Sequence, residues 1–99
     1  MYHTVMIPEF EQLLKQQSLT ILDVRELDEF EAGHIEGAVH LPLSSFPEGV
    51  SELKQEQEYY IICHSGSRSQ MACSYLGGEG FTTTNVMGGM SAWRGEIVR

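Results

Sequence analysis

Short apolar runs alternate along the chain with segments whose apolar residues recur every three or four positions. Runs of β-branched and aromatic residues read as strands, and the longer period reads as helix. Residues 2–7, closing on Val5-Met6-Ile7, form the first run. Pro8 suits the first turn of a helix, where its missing N–H is not needed. Phe10, Leu13 and Leu14 give that helix one apolar face, and Glu9 and Glu11 complement its dipole. Residues 19–24 read as a second strand. Residues 27–31 predict a short helix with Leu27 and Phe30 inward, Asp28, Glu29 and Glu31 outward, and Gly33 as its stop. A turn then leads into a third strand that ends in Leu41-Pro42-Leu43. Residues 44–57 are less regular, broken by Pro47 and Gly49, with Val50 and Leu53 as anchors for a short helix. Residues 59–62 are a fourth strand, and residues 70–76 a helix with Met71, Ala72, Tyr75 and Leu76 on its buried face and Gly77-Gly78 at its end. Residues 82–87 are the last strand, and Gly88-Gly89 precede a short helix reaching Trp93. Alternating strands and helices predict an α/β fold, a central, mostly parallel sheet of about five strands with helices on both faces.

Between the fourth strand and its helix lies Cys63-His64-Ser65-Gly66-Ser67-Arg68-Ser69. This puts Cys63 at the carboxyl end of a strand, where open α/β sheets place their ligands. A thiol becomes a nucleophile when it loses its proton. A tight loop around Cys63 aims the N–H groups of residues 64–68 at the sulfur, and the following helix adds the positive end of its dipole. Arg68 adds a permanent charge, and Gly66 permits the positive φ of a tight turn. Cys63 and Arg68 are therefore the candidate catalytic residues. His64, Ser65, Gly66, Ser67 and Ser69 are candidates for binding a substrate. Asp23 and Arg25, at the end of the second strand, read as an ion-paired frame for the loops; Asp23 as a general base is the alternative. Cys73, ten residues beyond Cys63, reads either as a core residue or as a resolving thiol.

Charge and composition narrow the partners. Fourteen acidic against six basic residues leave a net charge of −8. That opposes a nucleic-acid partner and long-range steering of anions, so affinity for an anion must be local. No apolar run approaches the roughly 20 residues of a membrane span, and the N-terminus has no signal-peptide pattern. Two cysteines do not make a secreted disulfide framework, so a reducing cytoplasm is expected. His3 and His40 sit in no constellation, and no Cys or His spacing suggests a metal site or cofactor. The length of 99 residues suits one domain, residues 1–99.

Three motifs in order resemble the rhodanese-like domains. Cys63-x4-Arg68 after a hydrophobic strand is similar to their active-site loop; tyrosine-phosphatase-type loops are one residue longer. Leu22-Asp23-Val24-Arg25-Glu26, followed by Glu29-Phe30-Glu31-Ala32-Gly33-His34-Ile35-x-Gly37-Ala38, resembles their N-terminal signature, with Glu36 where proline is usual. Gly80-Phe81 and Gly88-Gly89-Met90-x-Ala92-Trp93 resemble their C-terminal signature, with Trp93 expected as a packing residue; His34, in the N-terminal signature, is expected as a hydrogen-bonded turn residue. The resemblance implies a sulfurtransferase that carries a sulfane sulfur as a persulfide on Cys63. Its donor would be thiosulfate or a low-molecular-weight persulfide, and its acceptor a thiol, cyanide or an acceptor protein. Many members carry a cation directly after the cysteine; His64 stands there instead, which weakens the pull on thiosulfate. The rival readings are a phosphatase or arsenate reductase of similar loop design, a non-catalytic module, and a Cys63–Cys73 redox device.

Overall fold

The computed structural model describes residues 2–99. Five strands form one sheet in the order β1-β5-β4-β2-β3, where β1 is His3–Met6, β2 Ile21–Asp23, β3 Val39–His40, β4 Glu58–Ile62 and β5 Thr82–Met87. Every pairing between these strands is parallel. The expected α/β class and parallel sheet are therefore observed, and β4 occupies the centre.

Alternation along β4 divides the core. Tyr59, Ile61 and Cys63 belong to one buried cluster with Ala72, Cys73 and Leu76 of α3, which is Ser67–Gly78. Ile62, and partly buried Tyr60, belong to another with Ile7 and Phe10 of α1, which is Ile7–Gln16. Successive strand residues point to opposite faces, so one central strand serves two helical layers. Trp93 packs in the second cluster, edge-on to Phe10 with ring centroids 6.0 Å apart.

Several boundaries differ from the sequence expectation. The first and second strands are shorter than expected, and α1 begins at Ile7. Two 3₁₀ turns, Leu43–Ser45 and Glu48–Glu52, occupy the irregular stretch, and Val50 and Leu53 pack against the first cluster. α3 starts at Ser67, because Gly66 at φ +120° makes the turn into it. It also runs through Gly77 and Gly78, and the backbone reverses only at Gly80, φ +93°. Met71 and Tyr75 are exposed; the buried face is Ser69, Ala72, Cys73 and Leu76, one step round from the expected one.

Candidate active site

The loop that begins at Cys63 leaves the carboxyl end of β4 and is fixed from both sides. On one side the segment after β5 turns sharply at Gly88 and Gly89 into α4, Gly89–Ala92. Gly88 N donates to Ser65 O at 3.1 Å, Met90 N to Cys63 O at 2.8 Å and Ser91 N to His64 O at 2.8 Å. The carbonyls of the loop are thus occupied by this segment, which frees its N–H groups to face the other way. A side chain at Gly89 would stand 2.6 Å from His64 O, so only glycine lets the two backbones approach this closely.

On the other side the loop encloses the sulfur. Cys63 is 1 % exposed. Gly66 N donates to its Sγ at 3.1 Å, and Ser69 Oγ lies 3.3 Å away. Burial alone would push the thiol pKa up. The Ser69 hydroxyl and the backbone amides of Ser69, Gly66 and Ser65 outweigh it and hold the thiol below its ordinary value. The cradle is made by the Gly66 amide and the Ser69 hydroxyl, with the Ser65 and Ser69 amides assisting, so Ser69 is added to the expected residues 64–68 while 64, 67 and 68 make no hydrogen bond to the sulfur. Ser69, in the first turn of α3, is wholly buried, and its hydroxyl donates to Asn85 Oδ1 at 2.5 Å. Asn85, buried in β5, also reaches Gly66 O through Nδ2 at 3.4 Å. His64, Ser65 and Ser67 form the exposed part of the loop.

Arg68 is not free. Its Nη1 and Nη2 donate to Glu29 Oε1 and Oε2 at 2.6 and 2.8 Å. Glu29 lies on α2, Leu27–Ala32, and also accepts from Glu26 N at 3.1 Å. The Arg68 hydrogen bonds hold the Glu29 carboxyl down at about 2, and Glu29 in turn pushes the Arg68 pKa up. The expectation that Glu29 faces outward is thus corrected: it turns onto the loop, while Leu27, expected inward, is 55 % exposed. The sequence signal was Arg68 itself, a cation at the start of a packed helix, which calls for a carboxylate partner.

Asp23 and Arg25 form a second pair, this one buried. Arg25 Nε donates to Asp23 Oδ1 at 3.0 Å and Nη2 to Oδ2 at 2.9 Å, and Nη2 also reaches Gly33 O at 2.9 Å. With both oxygens of Asp23 engaged by Arg25, the pair ties the end of β2 to the turn after α2. His34 Nδ1 is 2.8 Å from Phe30 O, so the expected hydrogen bond is present, but its backbone pairs antiparallel with Val98 instead of lying in a turn. Its ring stacks on Phe30 at 3.7 Å, and His40 stacks on Phe30 at 4.5 Å. His40 therefore does have partners; its Nε2 also lies 2.8 Å from Arg25 O. Cys73 is fully buried among apolar side chains, which push its pKa up to about 11, and both cysteines are free thiols.

Beside the loop is an open cleft of about 380 Å³, walled by His64, Arg25, Glu29, Met90, Trp93 and Ile97. A depression of about 420 Å³ between the end of α1 and Glu36-Gly37 holds none of the candidate residues. Among the described residues no cluster of His, Cys, Asp or Glu could hold a metal, and no helix is long and apolar enough to cross a membrane.

The same architecture is found in known proteins. Residues 6–96 match the rhodanese-like domain family. The chain is 48 % identical over 81 residues to the putative sulfur carrier protein YrkF of Bacillus subtilis, covering 81 % of this chain and 44 % of that protein, less than half its length. It is 36 % identical over 88 residues to the thiosulfate sulfurtransferase GlpE of Pseudomonas syringae, covering 88 % of this chain and 83 % of that one. A rhodanese-like domain protein from Staphylococcus aureus superposes with a TM-score of 0.86 at 33 % identity, over 95 % of this chain and 92 % of that one. Sequence motifs, sheet order and relatives agree, and the chain belongs to the rhodanese-like domain family.

Proposed function

We propose that the chain is a sulfurtransferase in which Cys63 carries a sulfane sulfur. One observation carries the reading: a buried cysteine sulfur at the end of the central strand receives the Gly66 N–H at 3.1 Å and has the Ser69 hydroxyl at 3.3 Å. Such a cradle stabilises a thiolate, and it stabilises a terminal persulfide anion for the same reason.

The Cys63 thiolate attacks the outer sulfur of a donor. Its S–S bond forms as the bond between the donor's two sulfurs breaks, and that electron pair leaves with sulfite when the donor is thiosulfate, or with a thiolate when it is a low-molecular-weight persulfide. Cys63 is left as Cys–S–S⁻. An acceptor thiolate, cyanide or the thiol of an acceptor protein then attacks the outer sulfur and returns the Cys63 thiolate. Two half-reactions through one covalent intermediate give ping-pong kinetics. Cys63 is the nucleophile. Residues 65, 66 and 69 hold the anion, His64 and Ser67 border its approach, and Arg68 orders the loop with Glu29. Asp23 and Arg25 support it from β2. The reaction asks for no cofactor, and residues 1–99 act as one domain in a reducing compartment, the cytoplasm.

Replacing Cys63 with serine tests this. The variant should keep the circular dichroism and melting transition of the folded protein and form no thiocyanate from thiosulfate and cyanide. Thiocyanate formation at the wild-type rate would rule the mechanism out.

A further inference from the structure

The arginine of the loop has both of its terminal nitrogens on one carboxylate. The other arginine beside the site, Arg25, is paired with Asp23 and bonded to Gly33 O. The residue after Cys63 is a histidine in place of a fixed cation. Neither of these two guanidinium groups is therefore free of a carboxylate. The adjoining α2 adds Asp28 and Glu31 to Glu29, in a chain of net charge −8. The cleft next to His64 is lined by the apolar side chains of Met90, Trp93 and Ile97 together with the Glu29 carboxylate and the Arg25 guanidinium, which Asp23 engages.

We propose that Glu29 determines donor specificity: by occupying Arg68 it makes the site select organic sulfane donors of low charge, alkyl persulfides and thiosulfonates, over the thiosulfate dianion. The proposal rests on the persulfide reading above and names its substrate class. An organic substituent finds apolar wall in the cleft, where a sulfonate would meet the Glu29 carboxylate and an Arg25 already paired with Asp23. The chemistry balances for both donors. Methanethiosulfonate gives up its outer sulfur to the Cys63 thiolate and leaves as methanesulfinate; thiosulfate does the same and leaves as sulfite. The two donors differ chiefly by one methyl group in place of one charged oxygen, so their ratio isolates charge.

The test measures kcat/KM for both donors, with cyanide as acceptor, in wild type and Glu29→Gln. Releasing Arg68 should raise the thiosulfate-to-methanethiosulfonate ratio about tenfold, the effect of one charge several ångströms from the bound anion in a partly wet site. An unchanged ratio overturns the proposal. Should Glu29→Gln fail to fold, the wild type alone decides. Raising salt from about 0.02 to about 0.5 M shrinks the screening length several-fold and should raise kcat/KM for thiosulfate more steeply than for methanethiosulfonate. A fall for thiosulfate would mark an attractive site and overturn the proposal. Intact mass separates the two levels of the argument. Absence of an added sulfur on Cys63 with either donor removes the persulfide reading along with this one, whereas a sulfur delivered with no sensitivity to charge removes this one alone.

Discussion

The Ser69 hydroxyl has one hydrogen and two claimants. With Cys63 as a thiol, its S–H points to Ser69 Oγ at 3.3 Å while Ser69 donates to Asn85 Oδ1 at 2.5 Å. With Cys63 as a thiolate, the hydrogen must turn to the sulfur and Asn85 loses it. Ser69→Ala removes the donor to the thiolate; Asn85→Ala removes the competitor for it. A hydrogen bond to a charged group contributes about 1.5–3 kcal/mol, so Ser69→Ala should lower the thiolate-to-thiol ratio about 10- to 100-fold. A more basic thiolate is also a better nucleophile, with a Brønsted slope near one half, so the alkylation rate below the titration midpoint falls only about three- to tenfold. Asn85→Ala should leave that rate unchanged or raise it. Both variants lose a buried hydrogen bond and should cost about 1–3 kcal/mol in urea melts, with Ser69→Ala leaving Asn85 Oδ1 unpaired. The assay is iodoacetamide modification of Cys63 across pH, followed by mass. Rates that move in the same direction in the two variants, or a Ser69→Ala rate equal to wild type, would refute the idea that Ser69 divides its hydrogen between sulfur and amide.

Other outcomes follow from the same geometry. Glu29 has its pKa lowered from 4.5 to about 2 by Arg68, so its contribution to stability is complete above pH 4.5 and disappears as pH falls through 2. The pair is about one-third exposed, which discounts it to about 1 kcal/mol; acid titration of the melting midpoint should show a fall between those pH values that Glu29→Gln lacks. Gly89→Ala forces a Cβ against the carbonyl oxygens of the loop at φ +55°, and should lower sulfur transfer at least tenfold while costing about 2 kcal/mol or more in denaturant melts. Cys73, with its pKa pushed up to about 11 by burial, should resist iodoacetamide at pH 8 in the folded protein and react only after unfolding; equal reaction of both cysteines in the native state would contradict that.

Much of this was legible in the chain itself. The apolar runs located the strands, because a strand buried on both faces needs continuous apolar sequence. Cys63 at the end of one run, with glycine and small residues after it, located the loop. Its closure by Gly88-Gly89 was legible too, since two adjacent glycines invite a close backbone approach. The partners of the site were harder. Glu29 reads as one acid among several on a short helix, and six residues are too few for periodicity to say which side faces in. Tertiary packing turns it onto Arg68. Asn85 lies in a threonine-rich strand and looks like a weak strand former; only the register of β5 beside β4 puts it beneath the loop. Met71 and Tyr75 lie one step round from the packed stripe Ser69, Ala72, Cys73 and Leu76; a helix of small and polar residues has no strong apolar stripe to show which face turns in.

In the proposed mechanism Cys63 carries the transferred sulfur. Exposure of the native protein to methanethiosulfonate, removal of the excess, and intact-mass measurement with fragmentation tests it most directly. One added sulfur is expected, located on Cys63, absent in Cys63→Ser and released by cyanide as one equivalent of thiocyanate. A sulfur found on Cys73, or a chain whose mass does not change, would contradict it.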